Sequence, residues 1–199
     1  MIIKRKIFVF PIALFVAFSL SFSQTIDHWE TIVQAGDGGV YVVPSSEIGT
    51  GWTQKDFDDS GWTGGTSGFG YGDNDDNTKL PAGTKSVYMR FTFTVQDPSY
   101  IASLLLDMDY DDGFVAYING TEAARSNNIH DPLSWDMDPE PDHEAGMYRG
   151  VLPERFKLDE YLPTVLNAGE NILAVRVHNK ITQSSDLSSN VFLHAGLTT

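Results

Sequence analysis

An all-β chain folded as an antiparallel β-sandwich is what the sequence predicts, and three observations carry that reading. Apolar residues recur with period two in several short runs. Gly-, Asn- and Asp-rich turns punctuate those runs, and helical periodicity is nearly absent. At 41% apolar and 12% aromatic, the 199 residues can bury a core between two facing sheets, which excludes wholesale disorder. A second apolar layer, and not a helix, is the partner such strands require.

The first element in order is not part of the sandwich. Lys4, Arg5 and Lys6 form a basic start, Ile7 to Leu20 is an apolar stretch interrupted by Pro11, and Ser21-Phe22-Ser23 offers the small residues of a cleavage site. The stretch is 14 residues long, short of the roughly 20 that cross a bilayer. Residues 1–23 therefore predict a signal peptide, with 24–199 as a single sandwich module that is exported and not membrane-inserted.

Ser86 to Val95 is the clearest strand, with Val87, Met89, Phe91, Phe93 and Val95 on one face and Tyr88, Arg90, Thr92 and Thr94 on the other. Ile101 to Tyr110 follows, setting Leu104, Leu106, Met108 and Tyr110 opposite Leu105, Asp107 and Asp109. Asp111-Asp112-Gly113 predicts a tight hairpin turn into Phe114–Ile118, and Asn119-Gly120 a second turn into Thr121–Arg125. Leu158 to Leu166 has room for one or two helical turns, interrupted by Pro163 and ended by Gly169. Ile172–His178 and Val191–Leu197 complete the strands. Residues 127–150 carry Pro132, Pro139 and Pro141 with no alternation, which predicts a long surface loop of the kind that carries function.

Charge removes whole classes of partner. With 13 Lys+Arg against 27 Asp+Glu the formal charge is −14, which opposes binding to nucleic acid or to an anionic membrane surface. Signal cleavage removes three cations and no carboxylate, so the exported chain is more acidic still. Such an excess keeps a protein soluble and monomeric, or supplies oxygen ligands for calcium. The absence of cysteine excludes disulfides, a thiol nucleophile and thiolate metal sites. No Gly-x-Ser-x-Gly elbow, His-Glu-x-x-His pair or phosphate-cradling loop occurs.

Several segments resemble one family. Trp52, Phe57-Asp58-Asp59-Ser60-Gly61-Trp62, Gly68-Phe69-Gly70-Tyr71-Gly72-Asp73 and Asp111 to Gly120 are similar to galactose-binding-domain-like jelly-roll modules. His143-Glu144-Ala145, Gly169 to Val175, and His178-Asn179 followed by Ser184-Ser185-Asp186-Leu187 are closer to the module that precedes spore-coat-protein-H-like kinase or lamin-tail domains in secreted bacterial proteins. The likeness runs from about Trp52 to the C-terminus. It implies a jelly-roll accessory module that binds carbohydrate or supports neighbouring domains, without catalysis of its own. The chain stops a few residues after its last predicted strand, which fits a free-standing copy or a fragment of a longer reading frame.

Candidate sites follow from side-chain chemistry. Asp73, Asp75 and Asp76, with Asn74 and Asn77, crowd hard oxygens behind a Gly-Tyr-Gly turn, so they read as a calcium loop or as a solvated Asx-rich turn. Asp107, Asp109 and Asp111 alternate along a strand; three like charges on one face need a cation, an arginine or water. In the long loop Trp135 stands beside Asp136 and Asp138, either as a stacking platform for a sugar ring or as a local hydrophobic peg. His143 and His178 could meet with Glu144 as a His/carboxylate cluster, although hydrogen bonding at the sandwich edge accounts for both. Arg125 and Arg176 are expected to pair with carboxylates. The leading expectation is a non-catalytic module for extracellular glycan, bound by Trp135, Arg125, His143 and Glu144, with calcium steadying an acidic loop. A docking module that packs on a partner domain or protein is the alternative, and a small hydrolase with paired carboxylates the third.

Overall fold

The computed structural model describes residues 25–72 and 76–198. The predicted signal peptide and the predicted ligands Asp73 and Asp75 lie outside them. Twelve strands run in order: β1 (His28–Val33), β2 (Gly38–Val42), β3 (Thr63–Thr66), β4 (Phe69–Tyr71), β5 (Thr78–Lys79), β6 (Ser86–Val95), β7 (Ile101–Tyr110), β8 (Gly113–Ile118), β9 (Thr121–Arg125), β10 (Glu154–Lys157), β11 (Gly169–His178) and β12 (Leu187–Leu197). The only helix among the described residues is α1 (Leu162–Val165), a single turn preceded by a 3₁₀ turn at Asp159–Tyr161. No described helix is long and apolar enough to cross a membrane.

The strands form two sheets, as the period-two runs predict. One has the order β10-β7-β12-β4-β5, with β1 also paired to β12; the other has the order β3-β2-β6-β11-β8-β9. β12 is long enough to use one edge twice, pairing β4 through Leu187–Ser189 and β1 through Leu193–Leu197. The two-residue β5 lies parallel to β4, the one departure from the expected antiparallel pairing. Between the sheets sits the main core: Val87, Met89, Phe91, Phe93 and Val95 of β6 face Leu104, Leu106, Met108 and Tyr110 of β7, with Leu173, Val175 and Val177 of β11 and Val191 and Leu193 of β12. These are the inward sets that alternation predicts.

One expectation about the turns is corrected. Asp111-Asp112-Gly113 does not close a hairpin, because β7 and β8 belong to different sheets. Its backbone shows why: the Asp111 N–H donates to the Ser188 carbonyl at 3.0 Å in the first sheet, and the Asp112 N–H to the His178 carbonyl at 2.9 Å in the second. The segment is a strut between layers. Asn119-Gly120, by contrast, is the hairpin expected, with φ of 50° and 88° that suit a tight turn of primed type. Asn119 adds its amide to Asn171 Oδ1 and the Val165 carbonyl, both at 2.7 Å, and accepts the Ile172 N–H at 2.9 Å.

Alternation leaves open what covers the outward face of the β6–β11–β8 sheet. Tyr88 and Arg90 are buried there, not solvated. The chain between β2 and β3 folds back over this face, and Trp52, Tyr88, Ile172 and Ala174 form a second apolar cluster flanked by Phe57, Trp62, Tyr117 and Trp135. Trp52 lies 4.7 Å from the Tyr88 ring. Arg90 fastens the cover: Nε pairs with Asp59 at 2.7 Å, and Nη1 donates to the carbonyls of Trp52 and Gln54. Period two reports only that a face alternates; it carries no information about a third layer laid over it.

Replacing Arg90 by Met leaves those carbonyls without a donor and Asp59 without its cation. Arg90→Met is expected to cost about 2–4 kcal/mol in urea denaturation, whereas Thr92→Ala, exposed on the same strand, should stay within about 0.5 kcal/mol.

Candidate functional site

One end of the sandwich gathers three segments: the strut at Asp111–Gly113, the loop 127–150 and the turn 179–186. Asp112 joins them, its Oδ1 accepting the His143 N–H at 3.0 Å and its Oδ2 the Lys180 N–H at 2.7 Å. Lys85 and Lys180 bind the loop from the far side. Lys85 reaches Asp138 at 2.6 Å and the carbonyls of Asn179 and Lys180; Lys180 pairs with Asp142 at 2.5 Å and Glu140 at 2.8 Å. Gly113 permits this approach, since a Cβ there would stand 2.9 Å from Ile129 and 3.0 Å from Pro139. The Pro-rich loop is therefore seated on the sandwich, where composition alone predicts an extended surface run.

Asp111, Glu144 and Asp186 converge at this end. Each offers a carboxylate oxygen, all within 4.8 Å of one another, and no other group of this kind occurs among the described residues. Asp111 is only 3% exposed. Burial raises its pKa first, and the charges of Asp112, Asp186 and Glu144 add to the effect, carrying it to about 9. A carboxyl so placed holds a proton or shares a cation.

Beside this cluster opens a cleft of about 470 Å³, lined by Tyr110, His143, Glu144, Arg149, Val151 and Leu152 among others. His143 stacks flat on Tyr110, ring centroids 4.1 Å apart at 9°, and its Nδ1–H donates to the Tyr110 carbonyl at 2.9 Å. Most carboxylates around the cleft are already engaged. Asp109 accepts the N–H groups of Gly146 and Met147, and Glu154 accepts the Tyr110 hydroxyl at 2.6 Å. Glu144 remains for other partners. Tyr148, Val151 and Leu152 stand exposed nearby, Leu152 by 87%.

The predicted site residues are distributed over several places. Of the predicted ligand-binding set, His143 and Glu144 share the cleft. Trp135 is half-buried against the second apolar cluster, as a peg. It also lines a separate hollow with Pro44, Pro81 and Lys85. Arg125 is on β9, paired with Glu122 at 2.5 Å and Asp131 at 3.4 Å, as expected of it. The predicted metal run Asp107, Asp109 and Asp111 does not converge. Asp107 is held by both Nε and Nη2 of Arg155, at 2.8 and 2.7 Å, with His194 at 3.4 Å; Asp109 caps the 3₁₀ turn at Met147. Asp76 is half-buried near Gly70.

His143 and His178 do not form a shared cluster either. His178 is fully buried on the opposite sheet and accepts the Nε–H of Arg176 at 2.6 Å. Arg176, expected to pair with a carboxylate, instead donates to His178 and to the Ser134 carbonyl and lies over the Tyr88 ring. Asp186 is the ligand candidate that residue-by-residue inspection missed, because its partners are 75 and 42 positions away in the chain.

Comparison with known proteins agrees on architecture. No protein-family model matches the chain, and no curated protein matches it. Solved structures do match. Bacteroides uniformis beta-glucuronidase 2, covalently bound to cyclophellitol-6-carboxylate aziridine, aligns at 18% identity over 84% of this chain and 18% of its own, with a TM-score of 0.52. A beta-glucuronidase from an uncultured Clostridium sp. aligns at 18% identity over 90% and 31%, with a TM-score of 0.50. A calcium-binding mutant of the Bacteroides uniformis enzyme aligns at 16% identity over 84% and 18%, TM-score 0.51. The likeness is one of fold. The chain spans less than a third of each of these enzymes, and the all-β sandwich matches the galactose-binding-like architecture that the sequence resembles.

The raised Asp111 pKa has a consequence of definite sign. The folded state holds a proton that the unfolded chain, with its ordinary carboxylate, releases above about pH 4. In chelator, stability is expected to fall as pH rises from about 4 towards 9. Asp111→Asn should flatten that slope, read as urea midpoints across the range; a slope unchanged in the variant would remove Asp111 as its source.

Proposed function

We propose that this chain is a secreted, non-catalytic carbohydrate-binding accessory module, with a glycan in the His143 cleft and calcium at Asp111, Glu144 and Asp186. The observation that carries the reading is the cleft itself. The stacked His143–Tyr110 pair gives it an aromatic wall, Arg149 and Glu144 offer a donor and an acceptor for sugar hydroxyls, and Val151 and Leu152 supply an apolar edge.

A non-catalytic role is supported by the commitments of the surrounding carboxylates. Glycoside hydrolysis needs one carboxyl as acid and a second as nucleophile or base. Asp109, Glu154 and Asp142 are each occupied by backbone N–H groups, a tyrosine hydroxyl or Lys180. That sandwiches of this fold form a minor share of chains named beta-glucuronidases supports a carbohydrate-related, supporting task. Export rests on the predicted signal at 1–23.

The acidic cluster suits calcium by the chemistry of its donors. All are hard carboxylate oxygens, and Asp111 is buried among like charges that a divalent ion would neutralise. Calcium would tie the strut, the loop 127–150 and the turn 179–186 together beside the cleft. Three carboxylates fall short of the usual six to eight oxygens, so water or backbone carbonyls would complete the shell. The docking reading draws on one specific observation, the exposed Tyr148, Val151 and Leu152.

Affinity electrophoresis through gels containing a panel of polysaccharides, with calcium and with EDTA, tests the reading. Retardation by at least one polysaccharide is expected, weakened about tenfold or more by His143→Ala and reduced by EDTA. Absence of retardation in every gel, with calcium present, overturns the glycan reading in favour of docking.

A further inference from the structure

The outward face of the β6–β11–β8 sheet holds a further cavity, of about 690 Å³, remote in chemistry from the acidic end. Trp52, Tyr88, Tyr117 and Arg176 line it, together with Glu47 and Gln54. Its distinguishing feature is a buried cation. Arg176 is 5% exposed, and a guanidinium carries five N–H donors. Nε is used by His178 and one Nη2–H by the Ser134 carbonyl; the Nη1 donors have no acceptor among the described residues.

Glu47, on the same cavity, acts on that charge at a distance, but no carboxylate among the described residues pairs with the guanidinium directly. His178 accepts at Nε2, which puts its proton on Nδ1 and leaves the ring neutral; that Nδ1 has no partner among the described residues. Burial, followed by the charges of Arg176 and Lys85, keeps His178 well below its usual pKa. The Tyr88 ring lies 4.8 Å from the guanidinium carbon, which helps to solvate a cation but does not cancel it. A second group is also unsatisfied: the Tyr88 hydroxyl is buried without a hydrogen-bond partner among the described residues. Arg90, Arg125 and Arg155 each pair with a carboxylate, and Arg149 donates to the Ala145 carbonyl; here a guanidinium with an open Nη1 edge and an unpaired hydroxyl belong to residues lining one cavity. Buried charge and buried polar groups of this kind ordinarily have partners.

We propose that this cavity binds a carboxylate-bearing ring, an acidic monosaccharide unit, whose carboxylate pairs with the open edge of Arg176 while Trp52 and Tyr117 pack against the ring. A planar monoanion matches the fork of a single guanidinium. A dianionic phosphate is disfavoured relative to a monoanion, because the lining contains one cation and also Glu47, in a protein of net charge −14. Glu47, whose Oε1 already accepts the Trp135 N–H at 2.7 Å, keeps its second oxygen for a ring hydroxyl, and the Gln54 amide offers a donor and an acceptor. That the ring is a sugar rests on the glycan reading above; that it bears a carboxylate does not.

The test is a fluorescence titration of the purified protein with galacturonate, with galactose and benzoate as comparison ligands, because Trp52 lines the cavity. Galacturonate is expected to change the emission saturably, and galactose to bind at least tenfold more weakly. Arg176→Met should weaken galacturonate at least tenfold, and Arg176→Lys, which keeps the charge without the fork, should recover only part of it. The comparison of galacturonate with galactose uses the wild-type protein, so it stands even where a variant fails to fold. Equal binding of the two sugars overturns the role of Arg176, and no response to galacturonate or benzoate overturns the site. Binding of benzoate without galacturonate keeps the carboxylate site and overturns the sugar, which separates failure of this inference from failure of the glycan reading.

Discussion

The two N–H groups of Asp111 and Asp112 reach carbonyls in opposite sheets, and most of what is distinctive in this molecule depends on that arrangement. A sandwich must bring its strands across from one layer to the other somewhere, and the crossing backbone cannot leave its polar groups unpaired in the interior. Here the crossing satisfies both donors with the last residue of β11 and an early residue of β12. It thereby fixes the ends of those strands against each other. The Asp112 carboxylate then uses its two oxygens to hold the loop 127–150 and the start of the turn after β11. Asp111, one residue earlier, is delivered by the same geometry to Glu144 and Asp186. The acidic cluster is thus a consequence of how the chain changes layers.

Charge distribution follows a second constraint. In a chain with about twice as many carboxylates as cations, each cation has several acceptors to choose from. Arg90 takes Asp59 and two carbonyls to fasten the cover over the second sheet, Arg155 takes Asp107 to fasten the edge strand β10, and the two lysines hold the Pro-rich loop. The exposed pairs among these contribute little stability singly and serve to place segments, whereas the buried Arg90 also stabilises the cover. Arg176 stands apart because its direct partners are a neutral imidazole, a carbonyl and an aromatic face, with Glu47 acting only across the cavity. A cation left without a carboxylate in so acidic a protein is not explained by scarcity of partners.

Alternation was the legible part of this fold. The inward faces of β6, β7, β11 and β12 are the residues that period two selects, and the Asn119-Gly120 hairpin stands where its dipeptide predicts, since both are local properties of the chain. β1 to β5 and β10 are short, Gly-rich or both, and their pairing is decided by neighbours distant in sequence, so no local signal marks them. The Asp-Asp-Gly segment misleads for a related reason: the same dipeptide chemistry serves a hairpin and a layer crossing, and only the partners of its N–H groups separate the two. Site residues divide along the same line. His143 and Glu144 were legible as a neighbouring pair in a loop, but the alternating Asp107, Asp109 and Asp111 were grouped by spacing alone. Spacing could not show that Arg155 on another strand claims the first, or that Asp186 completes a cluster with the last.

The cover over the second sheet gives the loops a larger part than a two-layer sandwich requires. An outward sheet face usually meets water, and an arginine there would be solvated and unremarkable in its charge. Because the segment between β2 and β3 closes over Tyr88, Ile172 and Ala174, with Trp135 packed at the flank, Arg176 is withdrawn from water without acquiring a carboxylate. The cover is held by Arg90, on the strand next to β11, through hydrogen bonds to the backbone of Trp52 and Gln54. Those same residues line the cavity in front of Arg176. One arginine therefore holds part of the wall in front of the other, with Leu133 and the Ser134 carbonyl of the loop 127–150 on the other side. The recognition chemistry of this face follows from loop placement, and the two sheets beneath supply only the rigid floor.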